Sequence, residues 1–157
     1  MTPLRACLGT FLTVLVLVGG VSAQPPPDFS GRWVAISPGY SGRELRITQW
    51  RGTLKVTNTL ERGTETVTYN LDGTPRREPS GPSEERWATA AWKNGTLLLT
   101  HTHLTRTSES RTEHSLSFDS SRRLILGIAK MQLDANRDPA APPPPPQRKT
   151  VIVLKKR

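Results

Sequence analysis

The sequence has a single cysteine, Cys7, which lies ahead of the apolar run near the N-terminus. That run has the pattern of an export leader, so cleavage would remove Cys7 with it. The remaining chain would then hold no disulfide, no thiol nucleophile and no cysteine-bound metal. A domain of this kind is held together by packing and hydrogen bonds alone.

Apolar residues are also scarce, at 34% of the chain, and part of that share belongs to the leader run Phe11–Val18. We therefore expect a lean core. A fold that closes on itself and leaves no open sheet edge suits such a composition better than a thick layered one. No segment is long enough and apolar enough to be a transmembrane helix.

The N-terminus has the three parts of a signal peptide: Arg5, the apolar run Phe11–Val18, and the small-residue site Val21-Ser22-Ala23. The sequence predicts a signal peptide over residues 1–23 and a secreted or periplasmic protein. Residues 24–28 contain three consecutive prolines and form a proline-rich spacer. The folded domain is expected over residues 29–157.

Acidic residues are outnumbered, 13 against 22 Lys and Arg, which gives a formal charge of +9, or +8 once Arg5 leaves with the leader. The basic residues are scattered singly along the chain, a pattern typical of a solubilising surface. Scattered cations could also bind an anionic envelope surface. Nucleic acid is not an expected partner of an exported protein.

Helical periodicity is absent, whereas strand-length runs with period-two alternation recur between turn signals. A proline-rich linker, 132–149, precedes the last of these runs. Short links between successive strands predict an all-β fold, a single antiparallel up-and-down barrel of about 8–10 strands. The candidate strands are 32–36, 44–50, 53–59, 64–70, 74–78, 84–92, 96–104, 111–118, 123–131 and 150–156.

Residues that pair directly must share one face of a sheet, so turns predict which side chains point inward. The turn Asn94-Gly95 predicts the pairs Trp92–Leu97, Ala90–Leu99 and Ala88–His101. The next hairpin then predicts Leu97–Phe118, Leu99–Leu116 and His101–His114. In the first half, Leu45, Ile47 and Gln49 share a face with Leu54, Val56 and Asn58, which leads on to Val67 and Tyr69. Trp50 and Trp87 fall outside this face.

The segment Phe29-Ser30-Gly31-Arg32-Trp33 resembles the opening of lipocalin-like (calycin-like) barrels. The wider pattern, with Tyr69–Gly73, Trp92–Gly95 and Ser115–Ser117, is similar to small secreted bacterial β-barrel proteins of uncharacterised function. The resemblance implies export and a barrel whose closed end, or floor, is formed by Trp33. It also implies a basic residue of the last strand over that Trp: Lys155, Lys156 or Arg157, with Arg157 as the favoured floor residue. It implies no activity.

Three histidines form the one cluster that could bind a metal: His101, His103 and His114. Residues two apart on a strand point the same way, so all three are expected on the inner face near the open end, or mouth. Three imidazoles would leave a zinc ion one open position, as catalysis requires. The alternative is that they are polar residues where the apolar core thins.

Catalytic motifs are lacking, since no Gly-x-Ser-x-Gly elbow and no phosphate-binding glycine loop occur. The sequence therefore favours a non-enzymatic barrel that binds a small amphipathic molecule at its mouth. The alternatives are a metal-binding protein or metal-dependent enzyme that uses the three histidines, and a structural module that binds anionic envelope polymers. The candidate ligand-binding residues are Gln49, Asn58, Tyr69, His101 and His114.

Overall fold

The computed structural model describes residues 26–60, 63–134 and 148–157. The predicted signal peptide and most of the predicted linker lie outside these residues. The described chain is all-β, as predicted. Its ten strands are β1 (Gly31–Ala35), β2 (Glu44–Trp50), β3 (Thr53–Leu60), β4 (Gly63–Asn70), β5 (Arg76–Glu78), β6 (Glu85–Lys93), β7 (Thr96–Leu104), β8 (Ser108–Phe118), β9 (Leu124–Asp134) and β10 (Arg148–Lys156).

The strands form one antiparallel sheet in the order β4-β3-β2-β1-β10-β9-β8-β7-β6-β5. The first and last strands pair, with Trp33 opposite Lys156 and Ala35 opposite Leu154, as expected for an even number of alternating strands. The sheet curls into a nearly closed barrel. This shape is consistent with the lipocalin-like barrel that the opening motif implies.

The barrel is interrupted at one seam, between β4 and the β5–β6 pair. Within the described chain the two sides share no strand ladder. Side chains bridge the seam instead: the Thr68 N–H donates to Glu78 Oε1 at 3.1 Å, and Asn70 Nδ2 donates to Thr74 Oγ1 at 3.0 Å. A continuous meander would have paired β4 with β5. The prolines at 75 and 79 leave β5 only three residues long, because proline cannot donate to a ladder.

The Asn94-Gly95 turn sets the β6–β7 register as predicted, with Trp92 opposite Leu97 and Ala88 opposite His101. The face that the residues of β2, β3 and β4 were predicted to share is also confirmed. The predicted register of the next pair, β7–β8, is wrong by two residues. In the structure Leu97 lies opposite Leu116, Leu99 opposite His114, and His101 opposite Thr112.

The cause of this error is the turn after β7, which is tighter than the predicted loop 105–110. The Thr105 N–H donates to the Ser108 carbonyl at 2.8 Å, and the Ser108 N–H donates to Thr105 Oγ1 at 3.1 Å. Only two residues therefore lie between the closing pair. A shift of two residues keeps each side chain on its predicted face, because the side-chain period in a strand is two.

The floor of the barrel is an aromatic cluster. Phe29 is fully buried, and its ring stacks on Phe118 at 4.9 Å and on Trp92 at 5.9 Å between centroids. Trp33 is 2% exposed, and its Nε1–H donates to the Phe29 carbonyl at 2.9 Å. Trp33 is thus buried within the aromatic cluster at the floor.

A basic residue does cover Trp33, but it is Lys156 rather than Arg157. The Lys156 ammonium lies 5.6 Å from the Trp33 ring centroid. Arg157 is one position too late: its backbone N–H donates to the Arg32 carbonyl, and the residue is exposed. Gly31 makes room for the lysine, because a Cβ atom there would come within 2.8 Å of Lys156 Cε. Its φ of 150° is also unfavourable for other residues.

We predict that Trp33→Ala destabilises the protein by about 3–5 kcal/mol, because it empties a large buried site and removes a hydrogen bond. Trp50→Ala is the matched control. Trp50 is 65% exposed, so its loss should cost under about 1 kcal/mol. Urea unfolding of both variants measures the difference. Equal costs at the two positions would contradict the role of Trp33 as a floor residue.

Candidate functional site

Inward-facing side chains form rows that cross neighbouring strands, and the rows become more polar from floor to mouth. The row nearest the floor joins Leu97, Leu116 and Leu126. The next joins Leu99, His114 and Ile128, and the third joins His101, Thr112 and Lys130. The strands therefore present an apolar lower wall and a polar upper wall.

A cavity of about 310 Å³ lies along these rows inside the barrel. This volume is near the lower end of the range for small-molecule sites, about 300–1,000 Å³. Its facing wall comes from β2, β3 and β4 and carries Leu45, Val56, Asn58, Glu65, Val67 and Tyr69. Arg43, just before β2, lines the cavity at the mouth end.

His101 and His114 both line the cavity, although they are diagonal rather than direct neighbours. The pKa of His114 is lowered to about 4, mainly because the ring is buried and also because His101 and Lys130 lie near. His114 is therefore neutral at physiological pH. The His101 Nε2 atom is buried and has no hydrogen-bond partner among the described residues.

His103 lies apart from this pair, one row closer to the mouth. It is opposite Arg86 and Ser110, and its Nε2 is 3.1 Å from Glu84 Oε2. The two atoms are close enough for an ion pair but are not aligned for a hydrogen bond. Arg86 also contacts this carboxylate, at 3.2 Å. The predicted three-histidine grouping is not formed: the described residues contain no group of three or more side chains arranged to bind a metal.

Asn58, Tyr69, His101 and His114 line the cavity, as four of the five candidate ligand-binding residues. Gln49 does not. It lies at the floor end of β2, where its Oε1 accepts from the Phe29 N–H at 3.4 Å and its own N–H donates to Ser30 Oγ at 3.0 Å. Gln49 thus fastens the segment before β1. Tyr69 is buried, and burial raises the pKa of its hydroxyl above the usual range.

Sequence reasoning missed four polar residues of the cavity: Arg43, Glu65, Thr112 and Lys130. Glu65 could have been found, because it is two residues before Val67 and so lies on the same predicted face of β4, opposite Asn58. Thr112 and Lys130 lie on the predicted inward face, but their position in one row with His101 depends on the shifted β7–β8 register. Two wider depressions, about 600 Å³ beside β5 and about 1,170 Å³ at the floor, open on the outer surface.

The chain matches no protein-family model, and no curated protein matches it. No helix able to cross a membrane occurs within residues 26–60, 63–134 and 148–157. The site itself combines a barrel cavity, an apolar lower wall and polar groups around the mouth.

We predict that His114 makes folding sensitive to mild acid. Its folded pKa of about 4 lies below the ordinary value of 6.5, so between these limits the unfolded chain binds the proton more readily. The contribution of neutral His114 to the free energy of unfolding is fully present above pH 6.5 and is lost as the pH decreases towards 4. Between pH 7 and pH 5 the loss is about 2 kcal/mol at 1.36 kcal/mol per pKa unit.

Urea unfolding across this range tests the prediction. His114→Leu should remove most of the slope, whereas His103→Gln, which lies nearer the mouth, should keep it. Carboxylates such as Asp28 and Asp119 also have lowered pKa values, but their contribution is lost only at lower pH. An unchanged slope in His114→Leu would show that another group is responsible.

Proposed function

We propose that this protein is a secreted or periplasmic, non-enzymatic barrel that binds a small amphipathic molecule through its mouth. The cavity between the two halves of the barrel is the observation that carries the proposal. Its lower wall is built from Leu99, Leu116 and Leu126, and its upper wall from His101, Thr112 and Lys130. An apolar pocket with a few convergent polar groups is the usual form of a small-molecule site.

The cavity volume limits the ligand. At about 30 Å³ for each water-sized group, about ten non-hydrogen atoms fill it. The tail of such a molecule would replace water along the leucine rows, at about 0.8 kcal/mol for each buried CH₂ group. The floor aromatics close the far end, so the ligand enters with its tail first and its head stays at the mouth.

The exported location rests on the signal-peptide pattern over residues 1–23. Cleavage of the leader removes Cys7, so the exported chain cannot form a disulfide even in an oxidising compartment. The aromatic floor and the paired terminal strands supply the closure that a disulfide provides in many small exported domains.

A second candidate is binding of anionic envelope polymers by the outer surface. Two surface tryptophans carry an arginine over the ring: Arg51 lies 5.1 Å from the Trp50 centroid, and Arg77 lies 5.9 Å from that of Trp87. Trp50 is exposed and Trp87 is half-buried, and aromatic and cationic pairs on a surface suit sugar polymers with negative charge. Such binding would weaken steeply with salt, whereas binding in the cavity would not.

We predict that filling the cavity abolishes ligand binding. Ile128→Trp places a large ring in the cavity, whereas Ile125→Trp, on the same strand, places it on the outer face. The probes are three molecules with an eight-carbon tail: octanoate, 1-octanol and octylammonium. At least one should bind the wild type and Ile125→Trp, with chemical-shift changes at His114 and Leu126, and none should bind Ile128→Trp.

Native mass spectrometry of the exported protein gives a second measurement. A small molecule retained by the wild type and Ile125→Trp, and lost from Ile128→Trp, supports the cavity as its site. The proposal is refuted if the wild type retains no small molecule and binds none of the three probes. It is also refuted if Ile128→Trp, correctly folded, binds them as well as the wild type does.

A further inference from the structure

Three hydrogen-bond donors stand side by side on the upper wall of the cavity. His101 on β7 lies opposite Thr112 on β8, and Thr112 lies opposite Lys130 on β9. All three side chains line the cavity. Directly opposite residues have Cβ atoms about 4.5–5.5 Å apart, so an imidazole, a hydroxyl and an ammonium group form one continuous row. We call it the donor row.

From the donor row we propose that the head group of the ligand is an anion, of the carboxylate class, bound by His101, Thr112 and Lys130. This inference rests on the proposed function and specifies the chemistry of its ligand. The apolar tail extends from the donor row past Leu99 and Leu116 towards the floor. The row thus fixes both the polarity of the head and the direction of the tail.

The buried His101 Nε2 supports an acceptor in this position. It has no hydrogen-bond partner among the described residues, and a buried polar atom left unpaired costs about 1–3 kcal/mol. With its proton on Nε2, the imidazole can donate to a carboxylate oxygen. A carboxylate has two oxygens and about four lone-pair sites, so it can accept from the imidazole, the hydroxyl and the ammonium together. An alcohol offers a single oxygen, and an ammonium head offers none.

The charges around the cavity also favour an anion. Its titratable and charged residues are Arg43, Glu65, Tyr69, His101, His114 and Lys130. Two of these are permanent cations, and Glu65 alone is a carboxylate. Lys130 contributes to the lowered pKa of His114, after burial and His101, so its ammonium group lies near this part of the wall. A negative head group at the donor row is attracted by the permanent cations Arg43 and Lys130.

Glu65 lies on the facing wall, on β4, and is exposed at the mouth. It is opposite Asn58 in the β3–β4 ladder, whereas the donor row runs over β7, β8 and β9. A ligand carboxylate at the donor row therefore approaches a wall on which none of the described cavity-lining residues is a carboxylate. An ammonium head would instead be attracted to Glu65 on β4, away from the donor row.

The test compares octanoate, 1-octanol and octylammonium at neutral pH, by calorimetry or chemical-shift titration with the full chain. Octanoate should bind about tenfold or more tightly than 1-octanol, since hydrogen bonds to charged groups are stronger than neutral ones. Lys130→Gln and His101→Gln should each weaken octanoate about tenfold and change 1-octanol less than about threefold. The unchanged binding of 1-octanol reports that the cavity remains folded.

Lys55→Gln is the matched control. Lys55 is an exposed cation on the outer face of β3, and its removal should leave octanoate affinity unchanged. Equal affinity for octanoate and 1-octanol, preference for octylammonium, or an equal loss of octanoate in Lys55→Gln and Lys130→Gln overturns the anionic head group. These results leave the cavity as a binding site. Failure of all three probes to bind overturns the proposed function itself.

Discussion

The contact between Phe29 and Trp33 decides which end of this barrel is closed. Phe29 lies outside the strands, yet it is fully buried between Phe118 and Trp92, and its carbonyl accepts the Trp33 indole proton. The segment before β1 therefore folds back under the sheet and fills the space between its two halves. Each buried aromatic ring contributes a large apolar area to a core that has few apolar residues. With the floor sealed, access to the interior is left to the opposite end.

The polarity of the interior follows from the direction of the strands. β7 begins at the floor with leucines and ends at the mouth with histidines, so Leu97, Leu99, His101 and His103 form a graded series. On β9 the series runs from Leu124 to Lys130 in the same direction. Hydrogen bonding between neighbouring strands aligns these gradients into rows. The cavity therefore has an apolar lower part and a polar mouth without any element added to the sheet.

Most strands, the inward faces and the floor position of Trp33 could be predicted from the sequence, since these depend on local patterns. The start of β8 and the choice of Arg157 rather than Lys156 over Trp33 were wrong. Asn94-Gly95 has one favoured hairpin geometry, and Gly31 with Trp33 forms a short motif. The register of β7 and β8 could not be predicted in the same way, because their turn contains no glycine, proline or asparagine. Its geometry comes from the Thr105 hydroxyl, which hydrogen-bonds to Ser108, and such side-chain contacts leave a weak pattern in sequence.

That one turn accounts for the error in which side chains lie beside His101. With the predicted pairing, His101 would lie opposite His114, and the two imidazoles would be close enough to share a metal ion. In the structure the two-residue shift places Thr112 beside His101 and brings Lys130 into the same row. The inward face is unchanged, but the neighbours on it are different, and so is the chemistry that they favour. The face to which a side chain points depends only on whether its position in the strand is odd or even. Which side chains lie beside it depends on the register of the strands.

The seam between β4 and β5 bears on the same cavity. Val67 and Tyr69 of β4 line the cavity, while the other edge of β4 is held by side chains such as Glu78 rather than by a ladder. A side-chain hydrogen bond contributes about 0.5–1.5 kcal/mol, and a ladder would add one such bond for each residue or two. The β4 wall is thus less firmly fixed than the β7–β9 wall, where three consecutive ladders hold the donor row. The side of the cavity that would bind a charged head group is the more rigid one, which is the arrangement that precise hydrogen bonding requires.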